Sequence, residues 1–283
     1  MAEGVCLCGA VRYAIEGPFS WMAHCHCSMC RKHHGSLFAT FVGAPVSHFR
    51  WIAGEDAVAS YASSAEGRRT FCGVCGSVAP VVLPQFDLAI APAGNLSGEL
   101  GMKPDHHIFV GSKAPWNAIT DQLPQHEAYP PGISAPAIER PSVAAKPGLV
   151  LGSCLCGEVA FEIEGAPLRA YNCHCSRCRR GRSAAHATNY FYAVESFRWT
   201  RGERNVAAYK VPEAKRFAVA FCRRCGGALP RVSMELKGAI VPAGSLDTDP
   251  GMQPLAHIFV GSKAEWFDIT DRLPQNAELP PSR

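Results

Sequence analysis

Fourteen cysteines fall in the same order twice, and none lies outside the pattern. The first copy reads C-x-C-G at Cys6 and Cys8, C-H-C-S-x-C at Cys25, Cys27 and Cys30, and F-C-x-x-C-G at Cys72 and Cys75. The second repeats it at Cys154 and Cys156, at Cys173, Cys175 and Cys178, and at Cys222 and Cys225. Each copy divides its sulfurs four and three. Four thiolates close a tetrahedral zinc site, whereas three leave one position open for water or substrate. The pattern therefore predicts Zn2+ at up to four sites per chain, two structural and two open.

The start, MAEGVCLCGAVRYAIEG, has no basic stretch leading into an apolar one, and no apolar run approaches the ~20 residues that span a bilayer. The expected address is cytoplasmic, with no membrane, where thiols stay reduced and clustered cysteines bind metal rather than form disulfides. Hydrophobic residues make up 47% of the 283 and charged ones 18%, the balance of a soluble globular chain long enough for two domains. Charge is uneven: residues 1–127 carry 8 Lys/Arg against 10 Asp/Glu, and residues 149–283 carry 18 against 13. Arg177, Arg179, Arg180, Arg182, Arg223 and Arg224 flank cysteines of the second copy, which favours an anionic ligand there on Coulomb grounds, or else makes a solvated basic face.

The repetition runs well beyond sulfur. An offset of 148 carries Phe49-Arg50-Trp51 to Phe197-Arg198-Trp199 and Tyr61 to Tyr209; from Cys72 onward the offset is 150. HIFVGSKAPW at 107–116 matches HIFVGSKAEW at 257–266, each followed by I-T-D and L-P. Repetition at this length means duplicated domains, not a solenoid. The expected organisation is a first domain over 1–127, a Pro/Ala-rich, semi-extended linker over 128–148 and a second domain over 149–283, the two lobes able to pack as a pseudo-dimer. AVRYAIEG and EVAFEIEG alternate apolar and polar residues directly after C-x-C-G, which places that knuckle at the mouth of a hairpin. SLFATFV, SVAPVVL, FDLAIA and HIFV also read as short strands, and helical periodicity is confined to pieces around Ala114–Ile119 and Ala264–Ile269. The fold class is mainly β.

Within the four-sulfur sets, a glycine after the last cysteine lets backbone N–H groups turn toward the sulfurs. The three-sulfur sets admit a closed Cys3His alternative, with His26 and His174 inside the motif and His107 and His257 at matching positions. His26 sits between two ligands, so its ring should point away from their metal. His107 opens an apolar strand and could equally be a core or supporting group or a ligand itself. His24 is matched by Asn172 and His33 by Gly181, so neither serves a shared role. An open position is the preferred reading.

The ordered set C-x-C-G, C-H-C-S-x-C, F-R-W-x-x-G-E, F-C-x-x-C-G and H-I-F-V-x-S-K-x-x-W resembles the glutathione-dependent formaldehyde-activating (GFA) family, also grouped with centromere protein V, here in tandem over residues 4–127 and 152–278. The resemblance implies a β-rich, Mss4-like fold and structural zinc at Cys6, Cys8, Cys72 and Cys75 and at Cys154, Cys156, Cys222 and Cys225. It implies a second zinc at Cys25, Cys27 and Cys30 and at Cys173, Cys175 and Cys178, where the reaction is expected. The second copy departs after Cys178, reading RRGRSAAHATNY for RKHHGSLFATF, which sets the two open sites apart. The implied activity is carbon–sulfur lyase chemistry, forming S-hydroxymethylglutathione. Three thiolates weaken zinc's Lewis acidity and suit a soft thiol partner such as glutathione, for whose carboxylates Lys113, Lys263 and the arginines near Cys178 are candidate anchors. The rival is a non-catalytic zinc module binding glutathione, a protein partner or nucleic acid; the acidic first copy, without a stacking platform of aromatics, argues against nucleic acid.

Overall fold

The computed structural model describes residues 1–65, 67–133 and 143–280; the middle of the expected linker, 134–142, lies outside them. The chain is mainly β, and its described residues include two α-helices of seven residues each. In the first copy, Ala2–Val5 and Arg12–Ile15 pair as a hairpin, flanked by Leu96–Ser97 and Phe49–Ala53. Tyr13 and Ile15 point inward and Arg12 outward, and the connecting turn carries Cys6 and Cys8. A five-stranded sheet runs His106–Ile108, Trp21–Cys25, Ala39–Ala44, Leu88–Pro92, Val81–Leu83. A third unit, Val58–Ala62 with Arg68–Cys72, delivers Cys72 and the turn to Cys75 back to the first hairpin. The second copy repeats this frame, with Gln275–Asn276 and Ala228–Leu229 added at sheet edges.

The helices are not where periodicity placed them. Ala114–Ile119 and Ala264–Ile269 make single turns, closed by Asn117 N–H to Ala114 O (2.9 Å) and Phe267 N–H to Ala264 O (3.1 Å). So short a segment cannot recover the cost of nucleating a helix. The true helices, Ser28–His34 and Ser176–Arg182, start inside the C-x-C-x-x-C motifs, where Cys27 and Cys175 accept N-cap bonds from the N–H of Cys30 and Cys178. Sulfur thus does the work usually left to Ser or Asp.

The two copies pack through reciprocal contacts. A Cβ on Gly94 would lie 2.0 Å from Ala184 N, and one on Gly244 2.0 Å from Arg31 O, so each helix end abuts a turn of the other copy. Gly76 packs on Phe221 and Gly226 on Phe71, and the two phenyl rings meet edge to face at 6.3 Å. The tryptophans of the repeated S-K-x-x-W cross over: Trp116 and Ala114 join a core with Phe161, Ile163 and Tyr190, while Trp266 and Ala264 join one with Tyr13, Ile15 and Met22. One buried ion pair, Lys32 Nζ to Asp247 at 2.7 Å, also spans the copies, and Ser153 hydrogen-bonds both partners. No described helix is long and apolar enough to cross a membrane.

Candidate metal centres

Four cysteine clusters converge as the spacing predicts, and within each the sulfurs lie within 4.8 Å of one another. Cys6 and Cys8 come from the first hairpin turn and meet Cys72 and Cys75 from the third unit, with Cys6–Cys8 at 3.4 Å and Cys8–Cys72 at 3.7 Å. The second copy assembles Cys154, Cys156, Cys222 and Cys225 alike, at 3.5 and 3.9 Å. Sulfurs around one tetrahedral zinc at ~2.3 Å stand about 3.8 Å apart, whereas a disulfide needs about 2.0 Å. Backbone donors complete the setting: Val11 N–H to Cys6 Sγ (3.3 Å), Val159 N–H to Cys154 Sγ (3.3 Å) and Cys156 N–H to Cys225 Sγ (3.4 Å). Gly76 and Gly226, after the last cysteine of each set, are left-handed at φ 74° and 68°. Donors aimed at sulfur stabilise thiolates, so these sets fit a divalent, thiophilic ion.

The three-sulfur sets sit where a strand hands over to a helix. Cys25 ends Trp21–Cys25, Cys27 caps the helix and Cys30 lies in its first turn, Cys25–Cys30 being 3.5 Å. Hydrogen bonds from its two neighbours hold the Cys27 thiol far below its ordinary range, and those same contacts push Cys25 up. In the second copy Cys175 falls to about 3 through bonds from Cys173 and Cys178, while Cys173 rises to about 12 against Cys175. Sulfurs so crowded share protons until a cation replaces them. The surroundings differ. All three sulfur residues are buried in the first copy, and Arg69 donates from Nη1 to Cys30 Sγ at 3.1 Å; Cys175 and Cys178 are part-exposed.

No histidine joins a sulfur cluster among the described residues. His26 turns away from the cysteines beside it, and its Nε2 meets His107 Nδ1 at 2.8 Å; His107 Nε2 meets Asp121 at 2.9 Å. His174, His257 and Asp271 repeat the chain at 2.8 and 2.9 Å. Burial, then the neighbouring imidazole, brings His26 and His174 down to about 3. Both chains end in one cavity of about 380 Å³ between the copies, lined by His107, Asp121, His257 and Asp271 with Phe38 and Phe267. Sequence reasoning passes over the aspartates although I-T-D occurs twice; the repetition is the available signal. His24 donates to or accepts from Thr40 at 2.8 Å, and His33 packs on Phe71.

Of the proposed anchors, Lys113 and Lys263 donate to the backbone carbonyls of Asn117 and Phe267 and so pin the turn after their motif. Arg177 is exposed, and Arg224 pairs with Glu158 at 3.4 Å. Arg182 is instead 8% exposed and faces a cavity of about 180 Å³ beside Cys173 and Cys178.

These features define a tandem, mainly β protein with four cysteine clusters able to hold metal ions. The family model for the glutathione-dependent formaldehyde-activating enzyme matches residues 1–112 and again 149–262, and the chain belongs to that family. A curated relative from Halomonas elongata, named as a candidate glutathione-dependent formaldehyde-activating enzyme, is 27% identical over 127 residues, covering 42% of this chain and 81% of its own length. A solved Rhodobacter sphaeroides protein is similar at 25% identity over 34% of this chain and 89% of its own; its TM-score is 0.28.

Proposed function

We propose that the chain binds Zn2+ at its cysteine clusters and adds glutathione to formaldehyde, giving S-hydroxymethylglutathione, with the reverse cleavage making it a carbon–sulfur lyase. The observation that carries this reading is the pair of three-sulfur sets, each convergent yet one donor short of a closed tetrahedron. Bound zinc would supply a soft centre that keeps a fourth, incoming thiol as its thiolate at neutral pH. In this reading Cys6, Cys8, Cys72 and Cys75, with Cys154, Cys156, Cys222 and Cys225, hold structural ions that tie hairpin to distal unit. Cys25, Cys27, Cys30 and Cys173, Cys175, Cys178 form the thiol-accepting sets.

The bond changes need no redox partner. The sulfur–carbon bond forms as the carbonyl π bond breaks, and the thiol proton ends on the new hydroxyl oxygen. The residues near sulfur suit this chemistry. Backbone N–H groups and, in the first copy, Arg69 stabilise the thiolates, while the His26–His107–Asp121 chain holds the loop between Cys25 and Cys27. The test is zinc-loaded protein with glutathione and formaldehyde, following adduct formation by NMR against the uncatalysed rate. A rate saturable in glutathione and lost on zinc removal is expected. Saturable glutathione binding without acceleration would reduce the protein to a binding module.

A further inference from the structure

The two three-sulfur sets share a frame but not a mouth. Strand register fixes the correspondence: Tyr61 pairs with Arg69 where Tyr209 pairs with Val219, and Ala23 pairs with Phe41 where Tyr171 pairs with Asn189. In the helix, Gly181 takes the place of His33. Arg69, Phe41 and His33 thus become Val219, Asn189 and Gly181, and all three of those line the 180 Å³ cavity that reaches Cys173 and Cys178. Tyr171 and Phe191, larger than Ala23 and Gly43, add to its walls. In the first copy Tyr129 packs on Phe109 at 4.7 Å, whereas its counterpart Leu279 is 63% exposed.

The chemistry of the cavity is equally uneven. Arg182 lines it while 8% exposed, and its guanidinium makes no hydrogen bond or ion pair with a described carboxylate or carbonyl. Arg216 and Arg231 line the same space. Burying a guanidinium is costly unless an anion and hydrogen-bond acceptors meet it. Sulfur at one end and arginines along the wall fit a thiol that also carries a carboxylate.

We propose that the second copy's centre is the ligand-accepting one, taking an anionic thiol with its sulfur toward Cys173, Cys175 and Cys178 and its carboxylate toward Arg182, while Arg69 closes the first copy's centre as a structural one. This rests on reading a three-sulfur set as a thiol site and narrows the two sets of that reading to the second, and it is tested apart from glutathione by using mercaptoacetate, the smallest such thiol. Calorimetric titration of the zinc-loaded full chain should give one equivalent per chain. V219R, which restores the arginine of the first copy, should weaken binding at least tenfold with zinc content unchanged. R182Q should weaken mercaptoacetate about tenfold and leave neutral 2-mercaptoethanol unmoved, which a merely unfolded variant would not do. Two equivalents, none, or loss of binding in R69V but not V219R would overturn the assignment. One equivalent of mercaptoacetate with no formaldehyde chemistry would leave it standing and remove the catalytic reading instead.

Discussion

His34 donates from Nδ1 to the carbonyls of Arg182 and Ser183 in the other copy, at 2.9 and 3.0 Å, and burial lowers its pKa to about 4. The folded protein keeps this ring neutral where the unfolded chain, at an ordinary pKa near 6.5, takes up a proton. Between those values the unfolded state binds more protons, so stability is intact above about pH 6.5 and falls as pH drops toward 4. H34Q keeps an N–H donor but cannot titrate. Its loss of stability over this window should be smaller than the wild type's by on the order of 3 kcal/mol. Urea midpoints at several pH values check this, and parallel curves would assign the acid sensitivity elsewhere. The sulfurs at this scale were legible because spacing and repetition both mark them. Arg182 stood out only as one of six arginines flanking the second copy's cysteines, and Arg69 not at all, because neither is repeated and their roles depend on which strand or turn faces them. Asp121 and Asp271 were repeated but carry meaning only once His107 and His257 are placed beside them.

At the scale of elements, the hairpins and short strands followed from alternation, and the knuckle at the hairpin mouth stands where C-x-C-G put it. The two helices escaped because seven residues give under two turns, too few for periodicity to show, and their cap is a cysteine. Their ends dock on the Ala93–Asn95 and Ala243–Ser245 turns, where glycine is demanded by proximity rather than by backbone angle. G244A puts a methyl 2.0 Å from the Arg31 carbonyl oxygen and 2.6 Å from that of Ser36, atoms that cannot swing aside. The expected loss is at the upper end of overpacking, about 3 kcal/mol. G261A, on a glycine with open space around it, is the control and should change little. Thermal melts of both variants decide; equal melting temperatures would mean the turn shifts freely and the interface is softer than described.

Across the whole molecule the copies complete each other's cores, Trp116 in one direction and Trp266 in the other, so a separated half exposes a surface built for its twin. Repetition makes self-pairing geometrically possible, since reciprocal contacts become isologous ones. The halves differ at the buried pair. Lys32 meets Asp247, and by the repeat offsets their counterparts are Arg180 and Ser97. Two copies of residues 149–283 would set Arg180 against Asp247, keeping opposite charges together. Two copies of residues 1–133 would set Lys32 against Ser97 and leave a buried ammonium without its carboxylate, a loss of about 3–5 kcal/mol per contact. Expressed alone with zinc, the second half should therefore form a stable dimer in light scattering, and the first should dimerise far more weakly. K32S should bring the first half nearer to the second by removing the uncompensated charge. A stable, monomeric second half would show that the crossing tryptophans are dispensable, and equal dimerisation of both halves would show that the Lys32–Asp247 pair does not discriminate between them.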